Sequence, residues 1–375
     1  MLGIYIHIPF CRQKCYYCDF YKTLELNLTG AFIKALNNEI RLRSNYLIDN
    51  EIKTIYFGGG TPSVLDNRQI IEIVKFLKKN FTVSENAEIT LEANPDDLDT
   101  KYLNGLRNAG INRLSIGVQS LQERHLRHMN RRHNVKQAVD SVANAAAAGF
   151  TNISIDLIYG LPGLTRQQWK SDLNQVFKWP AVHLSAYHIT YHKGTVFHDR
   201  LINGNLRELS EDESLNQFEI LMEETDKAGF EHYEISNFAK NGMYSVHNKS
   251  YWTGKEYLGL GPSAHSYNGK SRRWNIGNLE KYIKSVENNK PFSGSEQLGL
   301  NDKYNEYILT NLRTKWGVSA DIIEKEYGKN NLKYFVGAAE KYISLKKMEK
   351  LDDIYLLSRE GLFTSDDIIA GLMII

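Results

Sequence analysis

Apolar and polar residues along the first half of the chain form two alternating patterns. Short runs rich in Ile, Leu and Tyr, most of which end in Gly, Pro or polar residues, are typical of strands. They predict six strands, over Gly3–Ile8, Thr54–Phe57, Glu88–Glu92, Arg113–Val118, Asn152–Ile158 and Val182–Ile189. Apolar residues at three- and four-residue steps predict helices between them, over Phe32–Leu42, Gln69–Lys79, Lys101–Asn108, Val135–Ala148 and Gln167–Phe177. This alternation of strands and helices predicts parallel strands joined by right-handed crossovers.

Two parallel architectures fit this alternation, a doubly wound sheet and a barrel. A doubly wound sheet usually carries a G-x-G-x-x-G phosphate loop after its first strand, whereas here the first strand leads into a loop that contains cysteines. The sequence therefore favours a barrel-like sheet in an α/β fold. In either architecture the carboxyl ends of the strands form the active face.

The alternation loosens after about residue 200. Ser214–Ala228 is predicted to be helical and Tyr233–Phe238 extended, while Tyr244–Tyr267 is rich in Gly and aromatic residues with weak periodicity. From about Asn301 the pattern is helical again, with one alternating segment near the end, which predicts a small mixed helical domain with a winged-helix-like β wing. The predicted domains are 1–235, 236–300 and 301–375. A DNA-binding winged helix fits the last pattern, but the sequence shows no basic stripe to support it.

Composition and charge exclude several classes of protein. The 375 residues carry a formal net charge of +2, so no strong overall field attracts nucleic acid or another polyanion. Hydrophobic and charged contents of 42% and 24% are ordinary for a globular chain, which excludes a disordered or fibrous protein. No apolar run approaches the ~18 residues of a membrane-spanning helix, and the N-terminus has no signal-peptide pattern. We therefore expect a cytoplasmic protein.

The three cysteines are the most specific compositional feature. Cys11, Cys15 and Cys18 are the only cysteines in the chain and lie within eight residues. An odd number at such short spacing does not suit a disulfide framework, and structural zinc normally requires a fourth ligand that is not evident nearby. Three thiolates can instead hold three irons of a [4Fe–4S] cluster and leave one iron open to a substrate or cofactor.

Other candidate site residues follow the strands. Gly58, Gly59, Gly60, Thr61 and Pro62 follow the second strand, where glycines let a ligand approach the backbone, although a triple glycine alone is only a tight turn. Further strand ends supply Glu92, Gln119 and Asp156. Polar groups at these places are costly to bury, so they either hold a ligand or make structural hydrogen bonds inside the barrel.

Two later segments also have more than one interpretation. The stretch Gln122–His133 contains four Arg and three His, and it forms either a solvated helix face or a receptor for carboxylates. His247 in His247-Asn248-x-x-Tyr251-Trp252 is either a packed histidine or an axial ligand of haem iron, with the two aromatic residues beside the porphyrin ring.

The cysteine triplet after the first strand resembles that of the radical S-adenosylmethionine (SAM) superfamily. The resemblance implies a partial (β/α)6 barrel, a [4Fe–4S] cluster on Cys11, Cys15 and Cys18, and SAM bound to the open iron. In that superfamily an electron from the cluster cleaves SAM to a 5′-deoxyadenosyl radical. The glycine run, here Gly59, Gly60 and Thr61, is similar to the superfamily's contact to the SAM amino group.

Within the superfamily, the motifs YIHIPFC, GGGTP, DLIYGLPG, GLGPSAHSY and HNxxYW resemble the coproporphyrinogen-dehydrogenase-like branch, and HNxxYW resembles its HemW-type haem chaperones. This resemblance implies SAM contacts by Glu92, Gln119, Arg131 and Asp156, a position near the cluster for Tyr5, and haem contacts by His247, Tyr251 and Trp252. It covers nearly the whole chain.

Two departures from the dehydrogenase pattern favour a chaperone. Phe20 stands where the dehydrogenase has a further cysteine, and only ten residues precede Cys11, too few for the dehydrogenase's N-terminal extension. The expected function is therefore to bind haem and transfer it to apo-haemoproteins, such as respiratory membrane enzymes, with the cluster and SAM assisting transfer or organising a homodimer. The alternative is an oxygen-independent coproporphyrinogen III dehydrogenase. Nucleic acid is not an expected partner, because few aromatic residues lie among the basic ones.

Overall fold

The computed structural model describes residues 2–47 and 51–374. Its strands are β1 (Leu2–Ile8), β2 (Glu51–Gly59), β3 (Thr82–Ala93), β4 (Arg113–Gln119), β5 (Asn152–Tyr159), β6 (His183–His188), β7 (Glu231–Glu234), β8 (Asn237–Ala239), β9 (Tyr257–Leu260), β10 (His265–Tyr267), β11 (Ser271–Asn275), β12 (Ser293–Gln297), β13 (Val318–Ser319), β14 (Met348–Leu351) and β15 (Ile354–Leu357). All six strands predicted for the first half are present.

The five helices predicted between the barrel strands are present, each within three residues of its predicted start, together with further helices among the described residues. They are α1 (Thr29–Leu42), α2 (Asn67–Asn80), α3 (Thr100–Ala109), α4 (Glu123–His128), α5 (Val135–Ala147), α6 (Arg166–Val176), α7 (Val196–Ile202), α8 (Glu211–Lys227), α9 (Val246–Trp252), α10 (Leu279–Glu287), α11 (Leu300–Asn311), α12 (Ala320–Ile322), α13 (Lys329–Ser344), α14 (Arg359–Leu362) and α15 (Ser365–Leu372). The five predicted helices are α1, α2, α3, α5 and α6. Asp66, Asn134 and Thr165 start α2, α5 and α6 with reciprocal capping boxes, which fix these boundaries locally.

The first six strands form a parallel sheet in sequence order, which confirms the predicted partial barrel. The barrel does not close, because β9 pairs with the outer edge of β1 and β8 pairs with the outer edge of β6. The single extended segment predicted over Tyr233–Phe238 is instead an antiparallel hairpin of β7 and β8, with an irregular register between His232 and Glu234.

The two faces of the barrel strands differ in chemistry. Side chains alternate between the faces of a strand, and the outward positions, such as Ile6, Phe57 and Leu91, are completely buried. On the same strands the intervening positions include Tyr56 and Glu92, which line a cavity. The outward face therefore packs against the helices, while the inward face leaves room for polar side chains and a ligand.

The C-terminal part has an apolar cluster of its own. Tyr304, Ile308, Phe335 and Tyr355 are buried there beside a three-stranded antiparallel sheet in the order β13, β15, β14. This combination of helices and a small sheet agrees with the predicted helical region and wing. The boundaries 1–235, 236–300 and 301–375 stay predictions. Among the described residues, no helix combines the length and the apolar character needed to cross a bilayer.

A buried carboxylate on α1 ties the segment after β9 to the barrel. The Glu39 side chain is completely buried and accepts hydrogen bonds from the Gly261 N–H at 2.8 Å, the Asn275 amide at 2.7 Å and the Tyr282 hydroxyl at 2.6 Å. The Arg43 guanidinium lies 3.8 Å away. Burial raises the pKa of Glu39 to about 7 despite these donors.

The Glu39→Gln variant is expected to unfold at a lower temperature and to show a weaker dependence of stability on pH. An amide cannot accept from all three donors, which lowers stability at each pH. The folded pKa of Glu39, about 7, exceeds its ordinary value of 4.5, so its contribution is complete below about pH 4.5 and is lost as the pH rises through 7. Thermal unfolding of both proteins between pH 4.5 and 8 measures this. Parallel pH curves would contradict the expectation.

Candidate functional site

The cysteine loop is fastened to the carboxyl ends of β1 and β2. The Gly60 N–H donates to the Ile8 carbonyl at 2.8 Å, and the Thr61 N–H donates to the Phe10 carbonyl at 2.8 Å. A Cβ atom at Gly60 would lie 2.8 Å from the Phe10 oxygen and 2.9 Å from the Ile8 oxygen. Only glycine permits this approach, so the glycine run predicted as a ligand contact also holds the loop that carries Cys11.

The three thiols have different surroundings. Cys11 Sγ lies 3.3 Å from Thr61 Oγ1, and Cys15 Sγ accepts a hydrogen bond from Arg131 Nη1 at 3.2 Å. Burial raises the pKa of Cys11 and of Cys18. A buried thiolate requires compensating positive charge, which the irons of a cluster supply, so the chemistry of the three donors fits the cluster.

The geometry does not suit a single metal ion. No three His, Cys, Asp or Glu side chains converge on a mononuclear site within residues 2–47 and 51–374. The thiolates of a cubane cluster bind different irons, so they need not meet at one point. Cys11, Cys15 and Cys18 nevertheless line the same cavity.

This cavity, of about 430 Å³, lies at the carboxyl ends of the barrel strands. Among the residues predicted from the sequence, those that line it are Cys11, Cys15, Cys18, Gly59, Gly60, Thr61, Glu92, Gln119, Arg131 and Asp156. Most of these residues also border a smaller adjoining pocket of about 100 Å³ at the ends of β2 to β5. The topology therefore brings the cysteine loop and the predicted SAM contacts together.

Two carboxyl groups inside the cavity are held by hydroxyl donors. Glu92 Oε1 accepts from the Tyr56 hydroxyl at 2.8 Å, and the Asp156 oxygens accept from the Ser115 hydroxyl at 3.0 and 3.1 Å. Burial raises the pKa of Glu92 to about 7, with the charge of Asp156 adding to the rise, and burial raises the pKa of Asp156 to about 6. Both groups therefore change protonation near neutral pH, where a cationic or hydroxyl-bearing ligand would favour the charged forms.

Gln119 reaches the cavity through an unusual backbone conformation. Its φ of 66° lies in the left-handed region that few residues other than glycine adopt, and the pairing of β4 with β5 is irregular between Ile116 and Gln119. A Cβ atom at Gly117 would lie 2.8 Å from Gln119 Nε2. Such backbone strain is concentrated at functional sites, and here it aims the amide at the cavity.

Two of the four arginines in the basic stretch Gln122–His133 are committed to protein contacts, while Arg124 and Arg127 are exposed on α4. Besides Cys15, Arg131 donates to the Gly117 carbonyl at 2.8 Å and to the Asn94 side chain. Arg132 pairs with Asp96 at 3.0 Å and with Asp97 at 2.8 Å. These two arginines therefore organise the cluster side of the cavity, and Arg131 Nε, buried with no hydrogen-bond partner among the described residues, is left for a ligand.

Four residues predicted to contact a ligand or to lie near the cluster do not line the cavity in the described structure. They are Tyr5, His247, Tyr251 and Trp252. The Tyr5 hydroxyl lies 3.3 Å from His7 Nδ1, and the Trp252 ring lies 5.9 Å from the guanidinium carbon of Arg313, on the side of the C-terminal part. The His247 imidazole is buried with both ring nitrogens hydrogen bonded within the protein. Its role as a haem ligand stays a prediction, for which this conformation offers no open nitrogen.

The structure adds cavity residues that the motifs did not identify. They include Tyr56, Asn94, Ser115, Ser185, Tyr187 and Asn248. Tyr56, Ser115 and Ser185 occupy inward positions on β2, β4 and β6, so the period-two pattern of the strands could have located them. Asn248 belongs to the HNxxYW motif, but its place in the cavity could be known only from the position of α9.

A Gly60→Ala substitution is expected to reduce cluster loading several-fold, because the new methyl group would push against the backbone that leads to Cys11. Iron and sulfide content after anaerobic reconstitution measures the effect. Gly30→Ala is the matched control, since a Cβ at Gly30 on α1 meets nothing within 4 Å. Equal cluster content in the two variants, with circular dichroism showing both folded, would refute the expected effect.

Sequence comparisons identify the family to which the chain is related. A model of the Radical SAM superfamily matches residues 5–176. The chain is 35% identical over 333 residues to the heme chaperone HemW of Bacillus subtilis (strain 168), covering 88% of both chains. It is 37% identical over 327 residues to the heme chaperone HemW of Lactococcus lactis, covering 86% of this chain and 84% of the relative.

A solved structure shows the same fold. Coproporphyrinogen III oxidase (HemN) from Escherichia coli, a radical SAM enzyme, superposes with a TM-score of 0.86 over 99% of this chain and 90% of its own, at 23% identity. This likeness extends the agreement in fold beyond the barrel to the C-terminal part. With its sequence relatives and the three cysteines beside the cavity, the chain belongs to the radical SAM superfamily, in the family of proteins named heme chaperone HemW.

Proposed function

We propose that this protein is a haem chaperone that binds haem and transfers it to apo-haemoproteins. The observation that carries the proposal is the similarity to relatives named heme chaperone HemW, which extends over 88% of the chain at 35% identity. Because the aligned region exceeds the barrel, it covers more than the motifs shared throughout the superfamily.

The proposed cofactors occupy the cavity at the carboxyl ends of the strands. Cys11, Cys15 and Cys18 would hold a [4Fe–4S] cluster, and membership of the superfamily implies SAM beside it. SAM contacts are proposed for Gly59, Gly60, Thr61, Glu92, Gln119, Arg131 and Asp156, all of which line the cavity. When bound, the cluster supplies electron transfer to SAM. The protein orients both groups through the Arg131 contact to Cys15 and the Tyr56 contact to Glu92.

The remainder of the cavity offers a surface for a planar ring. Phe20 and Tyr187 line it although their side chains are 65% and 44% exposed, so apolar area faces the opening. Ile158 and Ile189 add aliphatic area. Lys22 adds a positive charge, although its Nζ donates to the Cys18 carbonyl at 2.6 Å and the Phe20 carbonyl at 3.1 Å. This part of the cavity supports a tetrapyrrole as the second ligand.

The residue two positions after the cysteine triplet favours the chaperone over the dehydrogenase alternative. The dehydrogenase pattern has a cysteine there, whereas this chain has Phe20, which cannot supply a thiol. The side chain instead presents an exposed apolar ring at the cavity. The structural likeness to HemN, at 23% identity, concerns the fold and does not extend to its reaction. Respiratory membrane haemoproteins are the proposed recipients, and a homodimer is the proposed transfer-competent form.

Anaerobically reconstituted protein is expected to show a [4Fe–4S] signal by EPR after reduction and to retain haem through gel filtration. It is not expected to convert coproporphyrinogen III to protoporphyrinogen IX in the presence of SAM and a reductant. Parallel assays of Soret absorbance, 5′-deoxyadenosine release and porphyrinogen turnover measure these properties. Porphyrinogen turnover without haem retention would select the dehydrogenase, and absence of the cluster would remove the basis of both functions.

A further inference from the structure

The histidine of the HNxxYW motif is enclosed by protein groups. His247 Nδ1 lies 2.8 Å from Thr54 Oγ1, and His247 Nε2 lies 2.8 Å from the Tyr251 hydroxyl. A neutral imidazole offers one donor and one acceptor, and these two contacts use both. With 0% of the residue exposed, the ring has no nitrogen directed to a ligand.

Packing holds the imidazole in this orientation. A Cβ atom at Gly3 would lie 2.7 Å from Thr54 Oγ1 and 3.2 Å from His247 Nδ1, so β1 closes one side of the ring. Burial, together with the charge of Arg113, lowers the pKa of His247 to about 3, which keeps the imidazole neutral near pH 7. Turning it outward would break two buried hydrogen bonds and leave a void, both of which are destabilising.

His247 is connected to the SAM side of the cavity through Tyr56. The two rings stack with centroids 5.0 Å apart and an interplanar angle of 24°. The Tyr56 hydroxyl then donates to Glu92 Oε1, and both Tyr56 and Glu92 line the cavity. A change in the size or position of the His247 ring would therefore move the hydroxyl that holds Glu92.

The neighbouring residue, Asn248, does line the cavity. Its backbone N–H is capped by Ser245 Oγ at 3.3 Å, but its side-chain amide makes no hydrogen bond with another described residue. Asn248 is not among the residues that border the smaller pocket at the ends of β2 to β5. It shares the larger cavity with Phe20 and Tyr187, the residues that offer apolar area to a second ligand.

We propose that Asn248 is the ligand-contacting residue of the HNxxYW motif and that His247 is a positioning residue that holds α9 and the Tyr56–Glu92 pair. The inference rests on the proposed function, because the ligand facing Asn248 is taken to be a tetrapyrrole with carboxylate side chains. The amide N–H donates to a propionate oxygen. Tyr251 takes part by fixing His247 Nε2 and does not contact the porphyrin ring.

Asn248→Ala in the cluster-loaded protein is expected to weaken haem binding about tenfold, the effect of losing one hydrogen bond to a charged group. SAM affinity should stay within twofold of the wild-type value, because Asn248 does not border the smaller pocket, where six of the seven proposed SAM contacts lie. Haem titration followed by Soret absorbance and equilibrium dialysis of labelled SAM measure the two affinities. Asn330→Ala, at an exposed position on α13, is the matched control. Unchanged haem affinity in Asn248→Ala would overturn the contact.

His247→Gln and the milder Tyr251→Phe are expected to give the opposite pattern. Both should weaken SAM binding several-fold through Tyr56 and Glu92, while bound haem keeps the wild-type Soret position because its iron ligand is unchanged. His265→Gln, at an exposed site on β10, is the matched control. Tyr251→Phe removes only a hydroxyl and preserves the test if His247→Gln does not fold. A displaced Soret band, or unchanged SAM affinity in both variants, would overturn the positioning role.

The haem and SAM measurements together distinguish a failure of this inference from a failure of the proposed function on which it rests. If the wild-type protein does not retain haem, the chaperone proposal fails and the Asn248 contact fails with it. The SAM measurements on Tyr251→Phe still decide whether His247 acts through the Tyr56–Glu92 pair. If the wild type retains haem and the Asn248 variant retains it equally well, the function stands and the contact is overturned.

Discussion

The alternation of side chains on the barrel strands is the constraint on which this structure depends. Helices cover the outside of the sheet, so outward positions must be apolar, and Ile6, Phe57 and Leu91 are completely buried there. The inward positions are free to carry chemistry. Tyr56, Glu92 and Asp156 take such positions on three strands and meet in the cavity. A barrel whose inward side chains were all bulky and apolar would fill its own centre.

The incomplete closure of the barrel adds a second wall to the cavity. Because β1 and β6 do not pair, their outer edges are available to β9 and β8. The chain between these two strands forms α9, which packs against β1 and β2 and brings Asn248 to the cavity. Glu39 then fastens the following segment to α1 through three buried hydrogen bonds. Residues as distant in sequence as Cys11 and Asn248 therefore contribute to one site.

Two kinds of side chain line the cavity. On the side of the cysteine loop, Arg131 links Cys15 to Asn94, and strained Gln119 adds an amide. Phe20, two residues after Cys18 on the same loop, and Tyr187, on β6, add exposed rings to the lining. Polar, closely hydrogen-bonded groups suit a small charged cofactor, whereas exposed apolar area suits a larger flat ligand. A protein that holds a cluster and SAM while it carries haem would need both.

The sequence by itself determined the parts of this protein that rest on local order. Strand periodicity predicted all six barrel strands. The spacing of Cys11, Cys15 and Cys18 indicated the cluster because three thiolates so close along the chain can bind irons of the same cluster. Tertiary structure alone decided which residue of the HNxxYW motif lines the cavity. His247 and Asn248 are adjacent in sequence, but a helix directs consecutive side chains about 100° apart. Only the docking of α9 against β1 and β2 shows that the imidazole is buried and the amide lines the cavity.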